Sequence, residues 1–189
     1  MSTVADTMFW LAACGTALTG VTFAITMFAF FRAGAGSVIW RAVMVASLVT
    51  GQALLVVPIA VRESISLHEA IVVLALLCAT HGVFWWAVIA HGRGRPSGAF
   101  ATAAPSELVT SGPYRYVRHP FYLAYLLGFC AASALAGEWF AWCVPVWMAG
   151  VYLAAARHEE RVILSSPLAE QYRHYARRVG GFLPLAWAK

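Results

Sequence analysis

Charge is scarce in this sequence. Only 11% of its 189 residues are charged and 61% are hydrophobic, where a soluble domain carries about 25% charged residues. That deficit excludes an ordinary water-soluble fold. Paired metal ligands are also missing. The six histidines form no H-x-x-x-H or H-x-x-H pair, and Cys14, Cys78, Cys130 and Cys143 form no C-x-x-C pair. A zinc site, a histidine-rich two-metal centre and a disulfide framework are therefore not expected. The cysteines read as packing thiols inside apolar runs. There is no G-x-G-x-x-G and no strand-helix alternation. The glycine-rich stretch 92–98 follows an apolar helix rather than a strand, so it reads as a loop and not as a nucleotide fingerprint. Nothing resembles a nucleic-acid-binding footprint.

What is there is a set of long apolar runs with short polar connections. They predict an all-α integral membrane protein with five transmembrane helices over 8–31, 38–61, 69–91, 121–136 and 139–156, since a crossing needs about 17–25 residues. The fourth run is short and must borrow from its ends. Gly137-Glu138 alone joins it to the fifth, which predicts a tight hairpin. The fifth helix is expected to run on to about Leu164. Ser165-Ser166-Pro167 then breaks it. Leu168, Tyr172, Tyr175 and Val179 recur at helical spacing, predicting a C-terminal amphipathic helix over 168–179 that lies in the membrane interface and stops at Gly180-Gly181. Small residues every fourth position, Ala12-Thr16-Gly20-Ala24 and Ala124-Gly128-Ala132-Ala136, predict close helix packing. Pro58 and Pro145 are possible kink points for the second and fifth spans. The organisation reads as three N-terminal transmembrane helices over 1–91 and a second unit over 92–189. The second unit holds a loop, the hairpin 121–156 and a C-terminal segment 157–189.

Basic residues set the expected orientation. Residues 1–7 hold no Lys or Arg and the first apolar run is too long for a secretory signal. With the N-terminus outside, twelve of thirteen Lys and Arg side chains fall on the inner segments and only Arg62 lies outside. That is the positive-inside pattern. The C-terminus is then cytoplasmic. The compact chain, rich in Arg and Ala, suggests a bacterial inner membrane.

Two polar clusters sit at the ends of the predicted hairpin. The first is Gly112-Pro113-Tyr114-Arg115-Tyr116-Val117-Arg118-His119-Pro120-Phe121-Tyr122. Proline disfavours helix at the residue before it, so His119 caps the fourth helix and Pro120 opens it. Free N–H groups there favour an anion, and Arg118 and His119 add donors. An ordinary basic and aromatic belt at the headgroup level accounts for the same residue types. The second cluster is Arg157-His158-Glu159-Glu160. Adjacent helical positions point about 100° apart, so one glutamate is expected to face a pocket while the other pairs with Arg157 or Arg161. A solvated salt-bridge patch is the plainer reading. Tyr114, Tyr116, Tyr122, Tyr172 and Tyr175 surround both clusters and could wall a pocket for a ring or a sulfonium. His81 is the lone ionisable group deep in a span. It is assigned no role, and a bond to a neighbouring helix accounts for it equally well.

These residues resemble the isoprenylcysteine carboxyl methyltransferase family and its membrane phospholipid methyltransferase relatives. The likeness covers about residues 107–185. It is carried by the run from Ser111 to Leu123, by Glu159-Glu160, by Tyr172 and Tyr175, and by the ending Val179-Gly180-Gly181-Phe182-Leu183-Pro184. Ala124 departs from the glycine of many relatives, and Gly181 from the arginine of many bacterial ones. The resemblance implies S-adenosyl-L-methionine bound at the cytoplasmic face without metal. It implies that Tyr114, Arg118, His119, Pro120 and Tyr122 line the cofactor with Glu159 and Glu160, and that Arg157 orients the acceptor. The implied function is methyl transfer to a lipophilic or prenylated acceptor, such as a prenylcysteine-like carboxylate. Three alternatives stay open: a phospholipid (ethanolamine) N-methyltransferase, a nicotinamide-dependent membrane reductase, and a non-catalytic scaffold. Membrane lipid is the only other partner expected.

Overall fold

The computed structural model describes residues 2–29, 38–92 and 103–184. Arg32, Arg93, Arg95, Lys189 and most of the glycine-rich loop lie outside the described residues, as does the side chain of Arg41. The described residues form helices α1 (Ser2–Ala29), α2 (Val38–Val61), α3 (Leu67–His91), α4 (Pro120–Ala136), α5 (Cys143–Leu164) and α6 (Ala169–Ala176). Short 3-10 turns over Gly112–Arg115 and Trp139–Trp142 precede α4 and α5. Among the described residues, four helices are long and apolar enough to cross a membrane. Their outer faces carry exposed Trp10, Leu18, Val49, Val57, Ile71 and Ile89, as lipid contact requires. The protein is an integral membrane protein.

The five expected spans appear as four long helices and, as the short fourth run suggested, one short one. At 17 residues, α4 is about 25 Å long, below the roughly 20 residues of a full crossing. Eleven of those residues are buried, so α4 is the helix the others enclose. It packs against α1, α2, α3 and α5. Ala124, Gly128, Ala132 and Ala136 are all buried, because every face of α4 meets protein. Ala124 sits among Phe84, Ala87, Tyr114 and Phe121.

The small-residue stripe of α1 behaves differently. Ala12 is buried but Ala24 is exposed. Each four-residue step overshoots one helical turn by about 40°, so the stripe rotates off the contact face. The seam that packs instead includes Phe9, Ala12 and Thr19. Thr19 Oγ1 lies 2.9 Å from His81 Nε2 on α3, which gives the intramembrane histidine an interhelical partner.

Pro58 lies within α2. Pro145 is the third residue of α5, where its missing N–H interrupts no bond of that helix. Helix α1 begins at Ser2 rather than Met8, since its polar first turns contain no Pro or Gly to stop it. The C-terminal helix is eight residues rather than twelve, and its tyrosines are buried against the protein rather than laid on lipid: Tyr172 is 4% and Tyr175 6% exposed.

At the far end of α4, Arg62 fastens the chain. Its Nη1 donates to Leu135 O at 2.8 Å and Ala134 O at 3.3 Å. Its Nε donates to Ser64 O at 3.0 Å and its Nη2 to Glu69 at 2.6 Å. Glu69 also closes a capping box with Ser66 at the start of α3. Gly137 ends α4 with φ +74°, and a Cβ there would strike the Arg62 guanidinium. The one basic residue expected outside is thus a structural brace. Arg62→Met is expected to cost about 2 kcal/mol, read as a lowered denaturation midpoint in detergent with ligand-binding properties retained.

Candidate functional site

The chain segment before α4 is shaped by close approach to α3. Gly112 has φ +59°, and a Cβ on it would lie 2.9 Å from Ala90. Only glycine fits both demands. The turn that follows buries Pro113 and Tyr114. The Tyr114 hydroxyl lies 2.8 Å from His91 Nε2, and its carbonyl accepts from the Tyr175 hydroxyl at 2.7 Å. Burial pushes the Tyr175 phenol up to about 12 and raises Tyr114 as well. Both stay protonated donors at neutral pH.

His119 is the N-cap of α4, yet its side chain makes no capping bond. It turns instead toward the end of α5. Glu160 Oε1 gathers three contacts there, from Arg118 Nε at 3.0 Å, Arg118 Nη2 at 3.0 Å and His119 Nε2 at 3.0 Å. The anion expected at the start of α4 is the chain's own glutamate. Glu159 faces the other side: the Tyr122 hydroxyl donates to its Oε1, while its Oε2 stands 3.8 Å from His119 Nδ1, beyond hydrogen-bond reach. Both glutamate side chains keep 23% of their surface exposed, against 10% for His119.

Rings stack around this pair. His119 lies against Tyr122 and Phe182, each with centroids 5.7 Å apart. Tyr122 stacks in turn on Tyr152 at 5.0 Å. Tyr152 escaped the sequence reading, although it precedes Glu159 by seven residues and so shares its face of α5. The Tyr172 hydroxyl is buried and meets no partner at hydrogen-bond geometry among the described residues; burial first and the Glu160 charge second raise its phenol.

The last described segment crosses this cluster. Val117 and Gly180 form an isolated parallel bridge. Arg118 N–H donates to Gly180 O at 2.8 Å and His119 N–H to Gly181 O at 3.1 Å. Gly180, expected only to stop a helix, holds the C-terminal segment on the approach to α4.

The structure thus brings together Arg118, His119, Tyr122, Glu159 and Glu160, with Pro120 buried at the first position of α4. Tyr114 packs one turn away and supports the cluster through Tyr175. Arg157 is exposed, its side chain outside the cluster's hydrogen bonds. Among the described residues no group of His, Cys, Asp and Glu is arranged to hold a metal ion. A depression of about 520 Å³ lies at the opposite end of α4, lined by His68, Glu69, Glu138, Trp139 and Trp142 among others.

A family profile described as Phospholipid methyltransferase matches residues 69–170, just over half of the chain and inclusive of both polar clusters. The chain belongs to that family of membrane methyltransferases, the relationship that its Arg-His-Pro and double-glutamate motifs suggested. Two relatives carry names drawn from metal tolerance. The cobalt-zinc-cadmium resistance protein CzcN of Cupriavidus metallidurans is 33% identical over 112 residues, covering 59% of this chain and 46% of its own length. The nickel-cobalt-cadmium resistance protein NccN of Alcaligenes xylosoxydans xylosoxydans is 30% identical over 112 residues, covering 59% of this chain and 47% of its own. The match therefore spans about half of each relative. No solved structure matches at a significant level.

Proposed function

We propose that this protein is an S-adenosyl-L-methionine-dependent methyltransferase acting on a lipophilic acceptor at the cytoplasmic face of a bacterial inner membrane, with its N-terminus outside. The observation that carries the reading is the meeting of the two polar clusters at one end of α4, with donor and acceptor capacity left over. Glu159 Oε2 lies outside hydrogen-bond reach of His119, and the Tyr172 hydroxyl is buried beside Glu160 without a hydrogen bond of good geometry. The stacked His119, Tyr122 and Phe182 rings wall one side. Spare carboxylate oxygens, a phenol and aromatic rings suit a molecule with ribose hydroxyls, an ammonium and a sulfonium.

When bound, S-adenosyl-L-methionine supplies an electrophilic methyl group. The chain's part is alignment and exclusion of water. Glu159 and Glu160 take the hydroxyls or ammonium. His119 and Tyr122 wall the space. Tyr114 and Pro120 fix the path of the chain. No nucleophilic side chain is needed. In this reading α4 is a fifth, short crossing within the ring of long helices. Arg157 precedes the glutamates by two and three residues on α5 and meets an anionic acceptor at the membrane surface, which favours a prenylcysteine-like carboxylate. A methyl ester removes one anionic oxygen ligand, a physical link to the divalent-metal resistance for which the relatives are named.

The family description supports a second reading, methylation of a phospholipid amine. Both share methyl transfer, which the nicotinamide reading does not. S-adenosylhomocysteine titrated into the purified protein should give saturable heat, and NADPH none; absence of saturable heat with S-adenosylhomocysteine counts against both methyltransferase readings. A labelled methyl group followed into membrane lipids separates them: base-labile label means an ester, base-stable label a methylated amine.

A further inference from the structure

Each of the three side-chain nitrogens of Arg118 already meets the protein, and four of its five N–H groups are spent there. Its Nε and Nη2 both reach Glu160 Oε1 at 3.0 Å. Its Nη1 donates to Ala176 O at 3.1 Å and Val179 O at 2.8 Å, the carbonyls that end α6 and begin the final segment. Cations suit the end of a helix, where carbonyls lack partners. The same residue's backbone N–H holds Gly180 O, and its neighbour's holds Gly181 O. Beyond these bonds the chain delivers Phe182, whose ring stacks on His119 and lies 6.3 Å from Tyr122 while packing against the core cluster of α2, α4 and α5.

We infer that Arg118 is a positioning residue: it latches segment 176–182 across the end of α4 as a strap over the proposed cofactor site, and it orients Glu160, without touching the cofactor itself. This rests on the methyltransferase reading and reassigns one residue that the family resemblance places against the cofactor. A planar fork with three occupied nitrogens is the feature that ties two chain segments and a carboxylate at once. Lysine keeps the charge but offers one nitrogen at the end of a flexible stem, so it holds Glu160 or the strap and not both. Tyr172 and Tyr175, the buried residues of α6, dock the helix from which the strap leaves. His119 then keeps its ring contact with Phe182, beside the one it makes with Tyr122, only while the strap is closed.

The test uses the full chain in detergent or nanodiscs, comparing wild type, Arg118→Lys and Phe182→Ala. Amide hydrogen exchange is followed over 114–120 and 176–184, and S-adenosylhomocysteine affinity is measured in parallel. Arg118→Lys should speed exchange in both segments about tenfold and weaken affinity about tenfold, the loss of one charge-assisted bond. Phe182→Ala, which leaves every Arg118 bond in place, should speed exchange over 176–184 alone and also weaken affinity. Saturating S-adenosylhomocysteine should slow exchange over 176–184 in wild type. Weakened affinity in Arg118→Lys with unchanged exchange would mean direct contact with the cofactor and would overturn the inference, as would no change in either. Faster exchange in Arg118→Lys when wild type binds no S-adenosylhomocysteine would keep the latch and reject the methyltransferase reading.

Discussion

Glu159→Gln is expected to lower S-adenosylhomocysteine affinity roughly a hundredfold, the cost of leaving a ligand donor unpaired in a partly buried site, while leaving the thermal midpoint unchanged. The amide is the same size and its oxygen still accepts the Tyr122 hydroxyl. What it loses is the second acceptor oxygen, the one that stands 3.8 Å from His119. The neighbouring substitution should behave differently. Glu160→Gln removes the negative partner of Arg118 and His119, whose three contacts at 3.0 Å converge on one oxygen. Leaving two such donors without a charge destabilises the fold, so its midpoint should fall together with its affinity. Equal effects of the two substitutions on stability would show that the division of labour between the glutamates is wrong. Isothermal titration and thermal unfolding on the same preparations supply both readings.

Gly128→Leu should prevent the helices from assembling. A Cβ at this position would sit 3.3 Å from the Phe23 ring and 3.6 Å from the methyl groups of Thr19 and Thr80, where α1, α3 and α4 cross. The remaining carbons of leucine have no room without moving a helix. Overpacking of this kind costs about 1–3 kcal/mol and more where backbones must shift. Because α4 carries Pro120 and Tyr122 at one end and accepts from Arg62 at the other, its displacement would reach both. The expected result is loss of the monodisperse peak on size exclusion. Gly82→Leu and Gly150→Leu are the controls, since nothing lies within 4 Å of a Cβ at either position. These should purify normally.

The helices were legible because lipid leaves the backbone no alternative to internal hydrogen bonding, and long apolar runs announce that demand. The proximity of the two polar clusters was legible because the link after α4, Gly137-Glu138 in sequence and 137–142 once the Trp139–Trp142 turn is counted, is too short to do anything but fold one helix back beside the other. Less could be read where an apolar face has two suitable surroundings. Tyr172 and Tyr175 form the apolar face of an interfacial helix on paper, and burial against the chain satisfies them equally well. Bonds to backbone carbonyls leave no trace in residue identity. Arg62 read as a stray outside charge and Arg118 as a ligand, though both spend nitrogens on carbonyls of distant segments. The Val117–Gly180 bridge joins positions 63 residues apart with no side chain to signal it. Tyr152 was hidden for a different reason: a lone tyrosine in an apolar run looks like an interface anchor until its partner ring is placed.

Ultraviolet cross-linking of tritiated S-adenosyl-L-methionine to the protein in native membranes, followed by peptide mapping, reaches the central claim directly. One site at the start of α4 predicts label on peptides containing Tyr122, Tyr152 or Phe182, and its disappearance when excess S-adenosylhomocysteine is present. Label on the Trp139–Trp142 turn at the opposite end of α4, or label that excess S-adenosylhomocysteine does not displace, would contradict it.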